Sequence, residues 1–106
     1  MMEKLKSVEQ FENLKNGERT IFMFSADWCP DCRVIDPILP GLMADYPEYE
    51  FIYVDRDEFM DICQQQDIFG IPSFIAFHSG EEVGRFVSKD SKTREEIEAF
   101  INGLNV

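Results

Sequence analysis

A chain of 106 residues, 44% apolar and 13% aromatic, is long enough for one packed core and leaves no room for a second, so residues 1–106 are expected to form a single domain. Ten basic against 21 acidic residues give a net charge of −11, which disfavours nucleic acid and anionic membrane surfaces as partners. No apolar run is long enough to cross a bilayer, the start Met1-Met2-Glu3-Lys4-Leu5 lacks the hydrophobic stretch of a secretory signal, and three cysteines make no stapling framework, so a reducing, cytoplasmic setting is expected.

Lys4-Leu5-Lys6 reads as a marginal edge strand. Ser7, with Gln10 three residues on, has the pattern of a capping box, and Val8, Phe11 and Leu14 form the apolar stripe of a short helix that Asn16-Gly17 stops. Thr20 to Phe24 is β-branched and aromatic and predicts a buried strand. Val34, Ile35, Ile38, Leu39 and Leu42 then follow a helical rhythm, predicting one helix from about Pro30 to about Tyr46, closed by Pro47 and kinked at Pro37 without being split. Phe51 to Val54 is a second buried strand, which makes a strand–helix–strand unit.

Asp57 is expected to cap a helix carrying Phe59, Ile62 and Cys63. Phe74 to Phe77 is a third strand; Ser79-Gly80 turns the chain, and Val83 to Val87 alternates as a hairpin partner. Thr93 and Glu96 form another capping box before Ile97, Phe100, Ile101 and Leu104, the buried stripe of a last helix.

The chemistry concentrates where the first buried strand meets the long helix, at Ser25-Ala26-Asp27-Trp28-Cys29-Pro30-Asp31-Cys32. Cys29 is the expected N-cap and Pro30 the first helical residue, where a missing N–H costs nothing. Unpaired amides at the helix start favour a thiolate on Cys29, whereas Asp31 beside it disfavours a second negative charge. A Cys-x-x-Cys pair in this context reads as a redox dithiol. Cys29 attacks a disulfide as thiolate and Cys32 resolves the mixed disulfide. Cys29 is expected to be exposed and Cys32 partly shielded.

Pro30 and Asp31 are candidate tuning residues, and Asp31 could also influence partner choice by its charge. Trp28 is either a flat contact surface over the site or a cover for the core edge. Cys63, on an apolar stripe, reads as core, and His78 as a surface residue at a strand end. Cys29, Cys32, Cys63 and His78 would suffice in number for zinc, but they come from unrelated elements, and no metal is expected.

With Phe24 to Cys32, Pro37, Val54-Asp55, Gly70-Ile71-Pro72 and the Gly80 turn in view, the sequence resembles the thioredoxin family over nearly its whole length. The resemblance implies an α/β fold with a central mixed sheet flanked by helices and a cis peptide before Pro72, beside Cys29. It also implies an Ile71 backbone that pairs with an extended substrate segment, in a groove completed by Trp28 and Pro72. The implied activity is reduction of protein disulfides by a cytoplasmic protein, expected to be a monomer. The implied recycling partner is a thioredoxin reductase, which carries the flavin and uses the nicotinamide coenzyme; no cofactor is expected on this chain.

Two departures stand out. The centre is Trp28-Cys29-Pro30-Asp31-Cys32 where the family usually has Trp-Cys-Gly-Pro-Cys, similar to thioredoxin-related proteins that act on fewer partners. Met23 stands at the family's buried aspartate and Phe51 at its associated lysine, which leaves activation of Cys32 to water, Asp31, a nearby acid or the leaving group. The alternative is a redox-regulated binding module that uses the same groove without efficient turnover.

Overall fold

The computed structural model describes residues 2–105. Five strands form one mixed sheet: β1 (Glu3–Lys4), β2 (Thr20–Ser25), β3 (Glu50–Asp55), β4 (Ser73–His78) and β5 (Glu81–Phe86), in the order β1-β3-β2-β4-β5. β1 and β2 both run parallel to β3; β4 is antiparallel to β2, and β5 to β4. The helices are α1 (Val8–Lys15), α2 (Pro30–Ile35), α3 (Leu39–Asp45), α4 (Met60–Gln65) and α5 (Arg94–Asn102), with a single 3₁₀ turn at Asp36–Ile38.

The strand period of two divides the core cleanly. Phe22, Phe24, Ile52, Val54, Ile75 and Phe77 face Phe11 of α1 and Phe59, Ile62 and Cys63 around α4. Ile21, Met23, Phe51, Phe74 and Ala76 face Ile35, Leu39 and Leu42 of the α2–α3 run and Ile97 and Ile101 of α5. Helices therefore cover both faces, and the central strands are buried on both, as their unbroken apolar character requires. The fold class read from the sequence, an α/β sheet between helices, is the one observed.

Several boundaries differ from expectation. The first strand lies at Glu3–Lys4 and ends with Leu5 N–H donating to the Tyr53 carbonyl (2.8 Å). Ser7 caps α1 through the Gln10 N–H (3.0 Å), but Gln10 Oε1 reaches back one residue further than a capping box, to the Lys6 N–H (2.6 Å). The helix expected from Pro30 to Tyr46 is split into α2, the 3₁₀ turn and α3. Pro37 and Pro40 lack the N–H groups that would continue the ladder, and the turn tightens so that Leu39 N–H bonds Asp36 O.

The hairpin turn is held from outside. Ser79 and Gly80 adopt φ of 52° and 92°, and their N–H groups donate to Gly17 and Lys15 carbonyls at the end of α1 (both 2.8 Å). Thr93 and Glu96 do form the full capping box of α5. Arg94 in its first turn ties α5 to α3 by pairing with Asp45 (2.7 Å).

Candidate functional site: a disulfide at the end of the central strand

β2 delivers the chain to the site. Its last residue, Ser25, accepts a hydrogen bond from Arg56 N–H (2.8 Å), and Cys29 N–H closes the following turn on Ala26 O (3.2 Å). Cys29 is the N-cap of α2, with Pro30 in the first turn as expected. Its sulfur accepts from Cys32 N–H at 3.2 Å, so a helix amide left without an intrahelical partner points at this atom.

Cys29 and Cys32 are joined as a disulfide, with Cα atoms 5.2 Å apart. One turn of α2 brings the two residues to bonding distance without backbone rearrangement. Cys29 is 4% exposed and Cys32 fully buried. The order of exposure is the expected one, but Cys29 is not an open residue: Ala26, Cys32 and Ile71 pack around it in a small apolar cluster.

The opposite wall comes from the loop before β4. The Ile71–Pro72 peptide is cis, as the resemblance implied, and the Ile71 carbonyl oxygen lies 3.9 Å from Cys29 Sγ. Ser73 Oγ donates to Gly70 O (2.5 Å), which closes this loop on itself. Pro72 is buried and Ile71 half-buried; Pro30 is exposed and Asp31 half-buried.

Trp28 stands proud of the surface at 58% exposure, so it is no cover for the core edge. Its indole Nε1 donates to Asp57 Oδ2 (2.6 Å), and the Arg56 guanidinium lies over its ring at 5.6 Å. This corrects the reading of Asp57 as a helix cap. Asp55 Oδ1 instead accepts from the Asp57 and Glu58 amides (2.8 and 3.2 Å), and α4 begins at Met60 with no side-chain cap. An aspartate bonding two residues ahead satisfies the turn, which frees Asp57 to hold the indole. Sequence spacing carries no signal for that pairing, since Trp28 and Asp57 are 29 residues apart.

α2, which carries Cys32, rests through Ile35 on an apolar floor. Met23 is fully buried and shares its cluster with Ile35, Phe51 and Phe74. Ser25 Oγ is buried without a hydrogen-bond partner among the described residues.

Cys63 is a free, buried cysteine in the cluster on the other face, and burial raises its thiol pKa. His78, at the end of β4, contacts the Glu18 carbonyl. The four residues weighed as zinc ligands do not come together, and no group of three or more potential metal ligands occurs among the described residues.

The thioredoxin family model matches residues 2–103 of this sequence. The chain belongs to the thioredoxin family. Thioredoxin of Sus scrofa is 32% identical over 107 residues, a match covering 98% of this chain and 99% of that protein. Mitochondrial thioredoxin-2 of Schizosaccharomyces pombe is 32% identical over 97 residues, covering 88% of this chain and 73% of that one. Among solved structures, thioredoxin from Trypanosoma brucei brucei superposes with a TM-score of 0.83 at 26% identity, over 96% of this chain and 92% of that one. A thioredoxin-family fold that carries a Cys-x-x-Cys disulfide at a helix start is a thiol–disulfide oxidoreductase.

Proposed function

We propose that the protein works chiefly as a reductant of protein disulfides, with Cys29 as nucleophile and Cys32 as resolving thiol. The observation that carries this division of labour is the position of Cys29 at the N-cap of α2. Its sulfur accepts the Cys32 amide, and it is the less buried of the pair. In the reduced protein the same amide stabilises a thiolate on Cys29. That thiolate attacks one sulfur of the substrate disulfide, forms a mixed disulfide and expels the other sulfur as thiolate. Cys32 then attacks Cys29 Sγ, regenerates the Cys29–Cys32 bond and releases the second substrate sulfur. Two electrons pass to the substrate and the dithiol is oxidised.

Ile71, with Pro72 and Trp28, forms the proposed substrate groove: the Ile71 backbone beside Cys29 is free to pair with an extended segment, in the manner of strand addition. The Pro30-Asp31 pair inside the centre tunes Cys29 and restricts partners by charge. Because Met23 has no proton to exchange, the Cys32 proton goes to water, to Asp31 or to the departing thiolate.

A thioredoxin reductase with flavin and a nicotinamide coenzyme is the proposed electron source. The proposed setting is the cytoplasm, supported by a composition in which the third cysteine stays free. The test is multiple-turnover reduction of insulin disulfides with that reductase and coenzyme. Turnover in the wild type, lost in both Cys29→Ser and Cys32→Ser, supports the cycle. If the folded, reducible wild type stalls after one equivalent, the chain is a binding module that uses the groove without turnover.

A further inference from the structure

Lys92 is 3% exposed, and it is the one charged side chain buried among the described residues. It lies in the connection between β5 and α5, immediately before the Thr93 cap. Its ammonium donates to Ser88 Oγ (3.0 Å), to Asp90 O (3.1 Å) and, at 3.4 Å, to Ser88 O, and it stands 5.0 Å over the Phe86 ring. A lysine is rarely fully buried unless its charge is matched, and these acceptors are all in the loop it closes. Lys92 therefore folds the 88–92 loop around itself.

The same loop presses on the substrate side of the redox centre. A Cβ on Gly70 would sit 2.4 Å from Ser88 O and 2.8 Å from Lys89 Cα, so the two loops touch backbone to backbone. Gly70 precedes Ile71, whose carbonyl faces Cys29. Ser88 O is thus both an acceptor for Lys92 and the atom against which Gly70 rests. The chain of contacts runs from the ammonium through one carbonyl to the segment beside the disulfide.

We propose that Lys92 is a positioning residue for substrate: it sets the 88–92 loop against Gly70 and thereby fixes the Ile71 backbone at the height an extended disulfide-bearing segment needs. This deepens the function proposed above and rests on it. Burial holds the Lys92 pKa below its usual value, against the opposing charges of Asp90, Glu96 and Asp31, the last of which stands between the two cysteines. A role through charge on the dithiol is therefore the competing account, and the test separates the two.

The test uses full-length protein, reduced with dithiothreitol and freed of it. Single-turnover rate constants are measured with insulin and with 2-hydroxyethyl disulfide, which has no peptide backbone to pair. Lys92→Met removes the ammonium, and Gly70→Ala forces the same contact apart from the other side. Each is expected to slow the reaction with insulin about three- to tenfold, the effect of weakening one or two backbone hydrogen bonds. The reaction with the small disulfide should change by less than about twofold.

Equal slowing with both disulfides in Lys92→Met would overturn the positioning role in favour of charge. An unchanged insulin rate in both variants would overturn it outright. Melting curves establish that each variant is folded at the assay temperature; if Lys92→Met is not, Gly70→Ala decides by the same comparison. A wild type that reacts with no protein disulfide removes the proposed function and this inference together, whereas a reactive wild type with indifferent variants removes the inference alone.

Discussion

The two faces of the sheet are both apolar, yet they do different work. On the face under α1 and α4, Phe11, Phe22 and Phe77 pack ring against ring at 4.6 to 6.3 Å, neither cysteine of the disulfide takes part, and the redox centre reaches this face only through Ile71, which packs against its edge. The face under α2, α3 and α5 supports the helix that bears the disulfide, and there Met23 stands among Ile35, Phe51 and Phe74. The first face chiefly stabilises. The second has an apolar floor under the helix that carries Cys32, so stability and proton transfer compete for the Met23 position, and in this chain stability holds it.

The sharpest break between the faces is covalent. Cys29→Ser and Cys32→Ser should each abolish multiple turnover while leaving the melting temperature of the reduced protein nearly unchanged. Cys32→Ser should in addition accumulate a mixed disulfide, visible by mass, with a protein substrate. Next in size is Phe22→Ala on the aromatic face. It should cost about 3–5 kcal/mol of stability in denaturant titration, and where the variant is still folded its single-turnover rate should match the wild type. A slowed dithiol would mean that the two faces are not separable.

Met23→Asp tests the other face. Burying a carboxyl there should cost about 3 kcal/mol, and resolution of the mixed disulfide should accelerate because Cys32 gains a nearby proton acceptor. Destabilisation without acceleration would show that the apolar floor does not limit resolution.

The smallest effect lies at the margin of the sheet, where Arg85 grips Glu82 with two hydrogen bonds (2.7 and 2.8 Å) and lowers the carboxyl pKa. Both side chains are about one-third exposed, so solvent screening holds the contribution to about 0.5 kcal/mol. It is present above the unfolded pKa of glutamate and lost as pH falls through the lowered folded value. The deficit of Glu82→Gln should accordingly vanish in acid melts.

What the sequence disclosed follows from the kind of signal each feature leaves. The central strands, the caps at Ser7 and Thr93, and the placement of Cys29 and Pro30 at a helix start were legible, because residue type and short spacing decide them. Pro37 alone predicts a bend, but Pro40 follows it, and two missing donors three residues apart break the helix where one bends it. Asp57 resembles a cap in sequence because Asp55, two residues earlier, is an equally good turn former, and only the fold brings Trp28 to the one left over. The shielding of Cys29 by Ile71 depends on a loop 42 residues away. Lys92 leaves no sequence signal, since nothing in its neighbours distinguishes a lysine that closes a loop from one in water.

The margins of the sheet carry a further consequence. β1 offers only two residues, and β5 turns Glu81, Glu82 and Arg85 outward while Leu104 and Phe100 crowd Gly84. Both borders are thus poor templates for another sheet, one for want of length and the other for its ions. A protein proposed to receive strands from its partners beside Ile71 must not recruit copies of itself by the same chemistry. Here the hospitality is confined to the middle of the molecule, and the outer strands are built to refuse it.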